Sequence, residues 1–228
     1  MVRATKDQQG HRQRLRERFM QNQGASMPDY ELLELVLMYA IPRQDVKPIA
    51  KDLLRRFGSY AGVLGATTPE LKLIKGLGTN CIVLLHLIAA SQQRAAKEQI
   101  LDRHVISNWQ ALLDYCRVSY SELRTEEFHA LLLDQQNHVI EDLVLGHGSV
   151  SEVVIYPREV VKQALDFHAQ SLVLVHNHPG GSANPSKVDI QTTTKLKATL
   201  KSVDITLFDH LIVARGGEIM SFKEKGIL

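Results

Sequence analysis

The sequence is poor in cysteine and has no long apolar run. Its two cysteines, Cys81 and Cys116, lie in helix-like surroundings without metal-type spacing. They are expected to be buried thiols in a reducing, cytoplasmic setting, which excludes a disulfide framework. No apolar run approaches the ~20 residues that cross a bilayer, so no membrane partner is expected. The N-terminal "MVRATKDQQGHRQRLRERF" also lacks the apolar core of a secretory signal.

Charged residues are unevenly distributed, although the formal net charge is only +2. Residues 1–100 contain 15 Lys and Arg against 9 Asp and Glu, whereas residues 101–228 contain 12 against 16. No internal repeat or low-complexity segment is visible. The asymmetry predicts two modules, residues 1–100 and residues 101–228, of which the first is better suited to contact a polyanion.

The first half has the pattern of an all-α domain. The stretch "DYELLELVLMYA" is so dense in apolar residues that its helix must be largely buried. The stretch "VKPIAKDLLRRFGS" predicts a second helix that ends at Gly58. The following "TTPELKLIKGLGTNCIVLLHLIAASQQRAAKEQ" predicts a short helix, a tight turn at "GLG" and a long helix.

The second half alternates strand and helix patterns. "EFHALLLD" and "HVIEDLVLG" predict a hairpin, and "SEVVIY" predicts a third strand. A helix over "PREVVKQALDFHA" then precedes the short β-branched run "SLVLVH", which is typical of a buried central strand. A helix over "PSKVDIQTTTKLKATLKS" and strands over "ITLFDHLIVA" and "EIMSF" follow. This order predicts an α/β domain with a central mixed sheet between helices.

One stretch of this domain, "HNHPGGSANPSKVD" at residues 176–189, has the spacing of a metal site. If the strand stays extended, His176 and His178 point the same way with Cα atoms ~6.5–7 Å apart. Two imidazoles at that separation can reach one cation through bonds of ~2.0–2.1 Å. The next helix begins near Ser186, so the Asp189 carboxylate in its first turn can return to the same ion. Two nitrogens and one carboxylate oxygen form an open site whose remaining position holds water.

A solvated loop is the alternative interpretation of a His-x-His pair. The buried strand before the pair and the carboxylate at a helix start favour the metal. The other eight histidines lack a comparable setting. Asp209 and His210 follow an apolar run of the same sheet, so either is a candidate partner of the ligands, although packing is the better explanation for both.

The residues at this point resemble a known family. His-x-His, seven residues, Ser, two residues and Asp matches the JAMM motif of MPN/JAB metalloprotease domains. The stretches "FHALLLD", "YPREVVKQAL", "LVLVHNHPGG" and "DHLIVARGG" further resemble the bacterial RadC family, whose members are described as DNA repair protein RadC-like. The helical "ELLELVLMYA…GLGTN" region fits the same family, so the resemblance covers nearly the whole chain.

The resemblance implies one Zn²⁺ per chain, held by His176, His178 and Asp189. It also implies a glutamate before the first strand as general base, and a serine, Ser186, that hydrogen-bonds the developing oxyanion. Glu126 fits the family pattern Glu-x-Phe and would share a face with Phe128, whereas Glu127 is the second choice. The loop departs from the usual "HPSGDP", because Gly180 and Ser182 replace a serine and an aspartate.

The turn "KGLGTN" of the helical half resembles the hairpin of a helix-hairpin-helix motif. Lys75, Gly76, Gly78 and Thr79 would then offer backbone amides and charge to a DNA phosphate without reading bases. A helix-capping turn with no ligand explains the pattern equally well. The run "HRQRLRERF" adds positive charge, but its arginines alternate and would spread around a helix. DNA is therefore a candidate partner.

These features together predict a zinc-dependent hydrolase of the JAMM class that cleaves peptide or isopeptide bonds in a peptide or protein substrate. A DNA-binding accessory protein of DNA repair or mobile elements, with a structural or weakly active MPN domain, is the alternative. The same ligands could also form an iron(II) oxygenase triad or a metal-dependent nuclease. The serine and the upstream glutamate fit hydrolysis better than oxygenation.

Overall fold

The computed structural model describes residues 6–101, 103–105, 107–148 and 155–228. These residues contain nine helices and five strands. The chain divides into two compact units, Met1–Ser91 and Gln92–Leu228. Within the described residues, no helix is both long enough and apolar enough to cross a membrane.

The first unit is helical, as its sequence predicts. Its helices are α1 (Lys6–Asn22), α2 (Asp29–Ala40), α3 (Lys47–Phe57), α4 (Tyr60–Leu64), α5 (Thr68–Lys72) and α6 (Thr79–Ile100), which continues into the second unit. Leucines from α2, α3, α5 and α6 form its core and are fully buried, among them Leu33, Leu37, Leu53, Leu71 and Leu85. Gly58 ends α3 with a φ of 83°, a conformation that glycine adopts without a Cβ clash.

The division between the units falls inside helix α6, between Ser91 and Gln92, whereas the sequence predicts a boundary near residue 101, at the end of this helix. The reason is packing. Ala96 and Ile100, in the last turns of α6, belong to the same apolar cluster as residues of the sheet in the second unit. The last turns of α6 therefore pack with the second unit.

The second unit is an α/β domain around a five-stranded mixed sheet, which confirms the predicted fold class. Its elements are α7 (Trp109–Tyr120), β1 (Glu127–Leu133), β2 (Val139–His147), α8 (Pro157–Asp166), β3 (Ser171–His178), α9 (Lys187–Lys201), β4 (Thr206–Ala214) and β5 (Ile219–Ser221). The strand order is β2-β1-β3-β4-β5, and only β3 and β4 are parallel. The expected strand over 151–156 lies mostly outside the described residues, and Ile155 and Tyr156 are not in a strand.

Alternate residues of the central strands face two helical layers, because successive side chains of a strand point to opposite faces. Val173 and Val175 of β3 pack with α7, whereas Leu172 and Leu174 pack with α8 and α9. This double burial explains why β3 is a continuous apolar run. It also holds the carboxyl end of β3, where the two histidines lie, on a stiff backbone.

A polar cluster lies on the α7 face of the sheet. Asp142 of β2 accepts hydrogen bonds from the Tyr120 hydroxyl at 2.6 Å and from the Tyr115 hydroxyl, and His129 of β1 lies 3.2 Å away. Burial raises the pKa of Asp142, but these partners outweigh it and lower the pKa below its usual value. Burial lowers the pKa of His129, but Asp142 and Glu127 outweigh it and raise the pKa above its usual value.

The variant Asp142→Asn is expected to lower the free energy of unfolding by about 3 kcal/mol at pH 6, because it removes one partner of a buried ion pair. The contribution of His129 is complete below about pH 6.5 and is lost as the pH rises through its raised folded pKa. The cost should therefore be smaller at pH 9. Urea titration followed by the fluorescence of Trp109, the single tryptophan, which packs against the apolar cluster of the second unit, measures both values.

The matched control is Asp114→Asn, which removes the exposed ion pair with Arg117 at 2.6 Å. It should cost less than about 1 kcal/mol at either pH. A cost for Asp142→Asn that is equal at pH 6 and pH 9, or larger at pH 9, would contradict the ion-pair explanation.

Candidate metal centre

Three metal-ligand side chains converge at the carboxyl end of β3. His176 and His178 lie two residues apart on this strand, and their ring centroids are 4.7 Å apart. Asp189 comes from the first turn of α9, with Oδ1 at 3.3 Å from His176 Nδ1 and Oδ2 at 3.6 Å from His178 Nε2. One possible ligand atom from each residue lies within 4.8 Å of the others. The structure thus brings together the three residues that the spacing selects.

A capping box fixes Asp189 at the start of α9. Ser186 Oγ accepts a hydrogen bond from the Asp189 amide at 3.1 Å, and Asp189 Oδ2 accepts one from the Ser186 amide at 2.7 Å. Burial raises the pKa of Asp189, but both histidines and Ser186 outweigh it and lower the pKa well below its usual value. The helix N-terminus therefore presents a carboxylate anion to the two imidazoles.

The ring contacts of His178 leave one nitrogen available for coordination. His178 Nδ1 lies 2.7 Å from the Ser182 carbonyl oxygen, which can only accept a hydrogen bond. The Nδ1 atom therefore carries the proton in the neutral ring, and the lone pair of Nε2 points towards Asp189. A second-sphere carbonyl of this kind fixes the tautomer of a metal-binding histidine.

The chemistry of His176 also fits a metal. Its side chain is buried, and neither ring nitrogen has a hydrogen-bond partner among the described residues. A buried imidazole that forms no hydrogen bond is costly, and coordination of a cation would compensate for the missing hydrogen bond. Two imidazoles and one carboxylate, with no thiolate, are the donor set of an open zinc site.

A second layer of side chains supports the ligands from α9 and β4. Thr193 Oγ1 donates a hydrogen bond to the Asp189 carbonyl at 2.6 Å and lies 2.7 Å from His210 Nδ1. Burial, and then the neighbouring His176, lower the pKa of His210 to about 3, so this ring is neutral. Because the Thr193 proton goes to Asp189, His210 Nδ1 donates to Thr193. Asp209 instead accepts from the Ser221 hydroxyl and does not contact the ligands.

The two glutamates before Phe128 face different surroundings. Glu126 lies just before β1, and its Oε2 is 3.9 Å from His176 Nε2. Glu127 Oε2 is 3.0 Å from His129 Nε2, on the α7 side of the sheet. Strand alternation in the sequence favours Glu126, and in the structure Glu126 is the glutamate that lies on the side of His176.

The three ligand residues open into a pocket of about 440 Å³. Glu126 and Ser186 line the same pocket, and Val188 provides an exposed apolar side chain at its edge. Ser186 Oγ already accepts from the Asp189 amide, so its hydroxyl proton is available to a group in the pocket. The pocket therefore combines an acceptor carboxylate, a hydroxyl donor and a cluster of metal ligands.

Two family models match separate parts of the chain. The model of the RadC-like JAB domain matches residues 106–227, more than half of the sequence. The chain belongs to the RadC-like JAB domain family. The model of the UPF0758 N-terminal domain matches residues 7–83.

Two relatives resemble the RadC-like chain over nearly its full length. A UPF0758 protein of Ruegeria pomeroyi is 46% identical over 218 residues, which cover 96% of this chain and 97% of the relative. A UPF0758 protein of Rhodobacter capsulatus is 45% identical over 214 residues, which cover 94% of this chain and 100% of the relative. The family match supports an MPN-type fold for the second unit, and JAB domains often bind zinc.

The predicted nucleic-acid contacts of the RadC-like chain lie in the turn between α5 and α6 and at Thr79, the first residue of α6. Lys75, Gly76, Gly78 and Thr79 are all exposed there. Gly76 has a φ of 87°, which only glycine adopts readily, so a tight turn explains this residue without a ligand. The turn is therefore open to a partner, while its conformation does not require one.

Two of the alternating arginines have intramolecular partners. The Arg12 guanidinium donates to the Met38, Ile41 and Gln44 carbonyl oxygens, at and after the end of α2. Arg18 forms an ion pair of 2.8 Å with Glu31. These contacts tie α1 to α2, so the positive charge of "HRQRLRERF" serves the helical fold at two of its four arginines.

Sequence reasoning missed two residues of this site, Asn177 and Thr193. Thr193 follows Asp189 by one helical turn. Once Asp189 is chosen as a ligand, this spacing predicts that the two residues lie side by side on α9. Asn177 lies between the two histidines on the strand, so its side chain points to the opposite face. A search of the sequence for metal ligands alone therefore does not select it.

Proposed function

We propose that the protein is a zinc-dependent hydrolase of the JAMM class that cleaves peptide or isopeptide bonds. One observation carries the proposal. The buried His176, whose ring nitrogens have no hydrogen-bond partner among the described residues, converges with His178 and Asp189 in the pocket that Glu126 and Ser186 also line. His176, His178 and Asp189 would hold the zinc, which would act as a Lewis acid and lower the pKa of a bound water towards 7.

The protein residues around this centre have separate roles in amide hydrolysis. Glu126 accepts the proton of the attacking water and returns it to the leaving amine. Ser186 donates its hydroxyl proton to the oxygen that gains charge at the tetrahedral stage. The Ser186 amide and the Ser182 carbonyl hold the Asp189 carboxylate and the His178 ring in their orientations, so the ligands do not have to reorganise during the reaction.

Amide cleavage fits this site better than phosphodiester cleavage. Many nucleases use two metal ions about 3.5–4 Å apart. In the part of the chain that the structure describes, the only group of three or more His, Cys, Asp and Glu side chains with suitable spacing is the one at Asp189. A single cluster with one carboxylate ligand favours attack on a carbonyl carbon.

Metal analysis with a cleavage screen tests the proposal. Protein purified without added metal should contain about one zinc per chain by elemental analysis, and a His176→Asn/His178→Asn double variant should contain almost none. The wild type is then assayed on mixed peptides, on lysine-linked isopeptides and on DNA, with and without a chelator. Full zinc retention by the double variant would refute the site, cleavage of DNA alone would favour a nuclease, and stoichiometric iron in place of zinc would favour an oxygenase.

A further inference from the structure

The side chain of Asn177 bridges β3 to the segment that enters β1. Its Oδ1 accepts a hydrogen bond from the Glu127 amide at 2.6 Å, and its Nδ2 donates one to the Thr125 carbonyl oxygen at 3.0 Å. Asn177 itself is only 2% exposed, so its side-chain amide is shielded from solvent and depends on these two partners for its hydrogen bonds. The side-chain amide of Asn177 therefore forms the two hydrogen bonds that the backbone of a neighbouring strand would otherwise form.

The substitution occurs where the backbone pairing of the two strands ends. The register of β1 with β3 begins at the pair Phe128–His176 and includes no pair before Phe128. Strand β3 nevertheless continues to His178, where it pairs with β4. Beyond the last ladder pair, the Thr125 carbonyl and the Glu127 amide no longer have a strand partner on β3 and need other groups to bond. Asn177 supplies both.

The two bonded groups lie on either side of one residue, Glu126. The Thr125 carbonyl belongs to the peptide group that precedes Glu126, and the Glu127 amide belongs to the one that follows it. The Glu126 carbonyl also accepts a hydrogen bond from the Gly148 amide at 2.7 Å. Because φ and ψ of Glu126 are the torsions between two held peptide groups, its backbone has little freedom.

We propose that Asn177 is a positioning residue that holds the Glu126 carboxylate at the metal centre. This role rests on the proposed function of Glu126 as general base. A single residue thus separates the two histidine ligands in the chain and links their strand to the base, so that ligands and base keep one geometry. The different roles of the three residues follow from strand alternation, because His176 and His178 face the pocket whereas Asn177 faces the segment that enters β1.

Hydrogen exchange in the metal-free protein tests the bridge without any activity. The variant Asn177→Ser is too short to span both groups, so the Glu127 amide should exchange at least about tenfold faster than in the wild type, the equivalent of one hydrogen bond. The variant Asn177→Asp keeps an acceptor for this amide and should retain most of the protection. The Leu131 amide, inside β1, should be unchanged in both. Equal Glu127 exchange in wild type and Asn177→Ser would overturn the bridge.

Kinetics of the zinc-loaded protein test the positioning. The variant Asn177→Ser should keep its zinc and its KM, while kcat falls roughly 30- to 100-fold, because a small displacement of a catalytic group is enough for such a loss. The matched control Asn184→Ser, an exposed asparagine of the following loop, should retain the wild-type kcat. In a Glu126→Gln background, Asn177→Ser should change kcat less than about twofold, because the residue it positions is already disabled.

The outcomes separate this inference from the proposed function. A multiplicative loss in the double variant would mean that Asn177 acts through the general structure and would overturn the positioning role. A wild type that cleaves no peptide or isopeptide would overturn the proposed function and its catalytic consequence for Asn177. The exchange rate of the Glu127 amide would still decide whether the bridge exists.

Discussion

A His178→Asn variant is expected to bind zinc roughly a hundredfold more weakly than the wild type. The binding free energy of a four-ligand zinc site is about 10–16 kcal/mol, so one ligand accounts for roughly 3 kcal/mol. Asparagine is not among the residues that zinc sites use. His178 is suited to this test because the Ser182 carbonyl fixes its tautomer and leaves Nε2 to the metal. Competition with a chromophoric chelator at pH 7.5 measures the affinity.

The matched control is His168→Asn, an exposed histidine outside the cluster. Its φ of 54° is one that asparagine tolerates, so the fold should not suffer. This variant should bind zinc as the wild type does. An affinity for His178→Asn within about threefold of the wild type would show that the metal is held elsewhere.

Residues of this site differ in how far the sequence determines them. The period of a strand and the start of a helix predict that His176, His178 and Asp189 meet, because each relation spans only a few residues. The carboxylate before Phe128 lies far away in the chain and is implied only by the family resemblance, while strand alternation favours Glu126 over Glu127. These short-range predictions hold because the buried strand and the capped helix have regular backbone geometry.

The residues that were not predicted depend on register between distant segments. The bridge from Asn177 to Thr125 and Glu127 exists only because the β1–β3 ladder ends at Phe128, and no local pattern marks that end. The partners of Arg12 likewise depend on where α1 lies against α2. A charge pattern read alone therefore favours a polyanion, whereas the fold uses part of that charge internally.

A Glu126→Gln variant should lose catalysis without losing the metal. The amide keeps the size of the side chain but cannot accept and return a proton at neutral pH, so kcat should fall by about a thousandfold, within the range for a general acid–base group. Glu126 is outside the group of three ligands, and its carboxylate is 3.9 Å from the His176 ring. Zinc content should therefore stay at the wild-type level, which separates this loss from that of a ligand variant.

Glu127→Gln is the internal control, because it makes the same change one residue further along. Its side chain contacts His129 and His147, on the other face of the strand, so kcat should change less than about threefold. A large loss in Glu127→Gln with a normal Glu126→Gln would reverse the assignment of the base. Equal losses in both, with zinc retained, would point to the backbone between residues 125 and 127 and not to either carboxylate. The exchange rate of the Glu127 amide in each variant would then show whether the bridge to Asn177 had been disturbed.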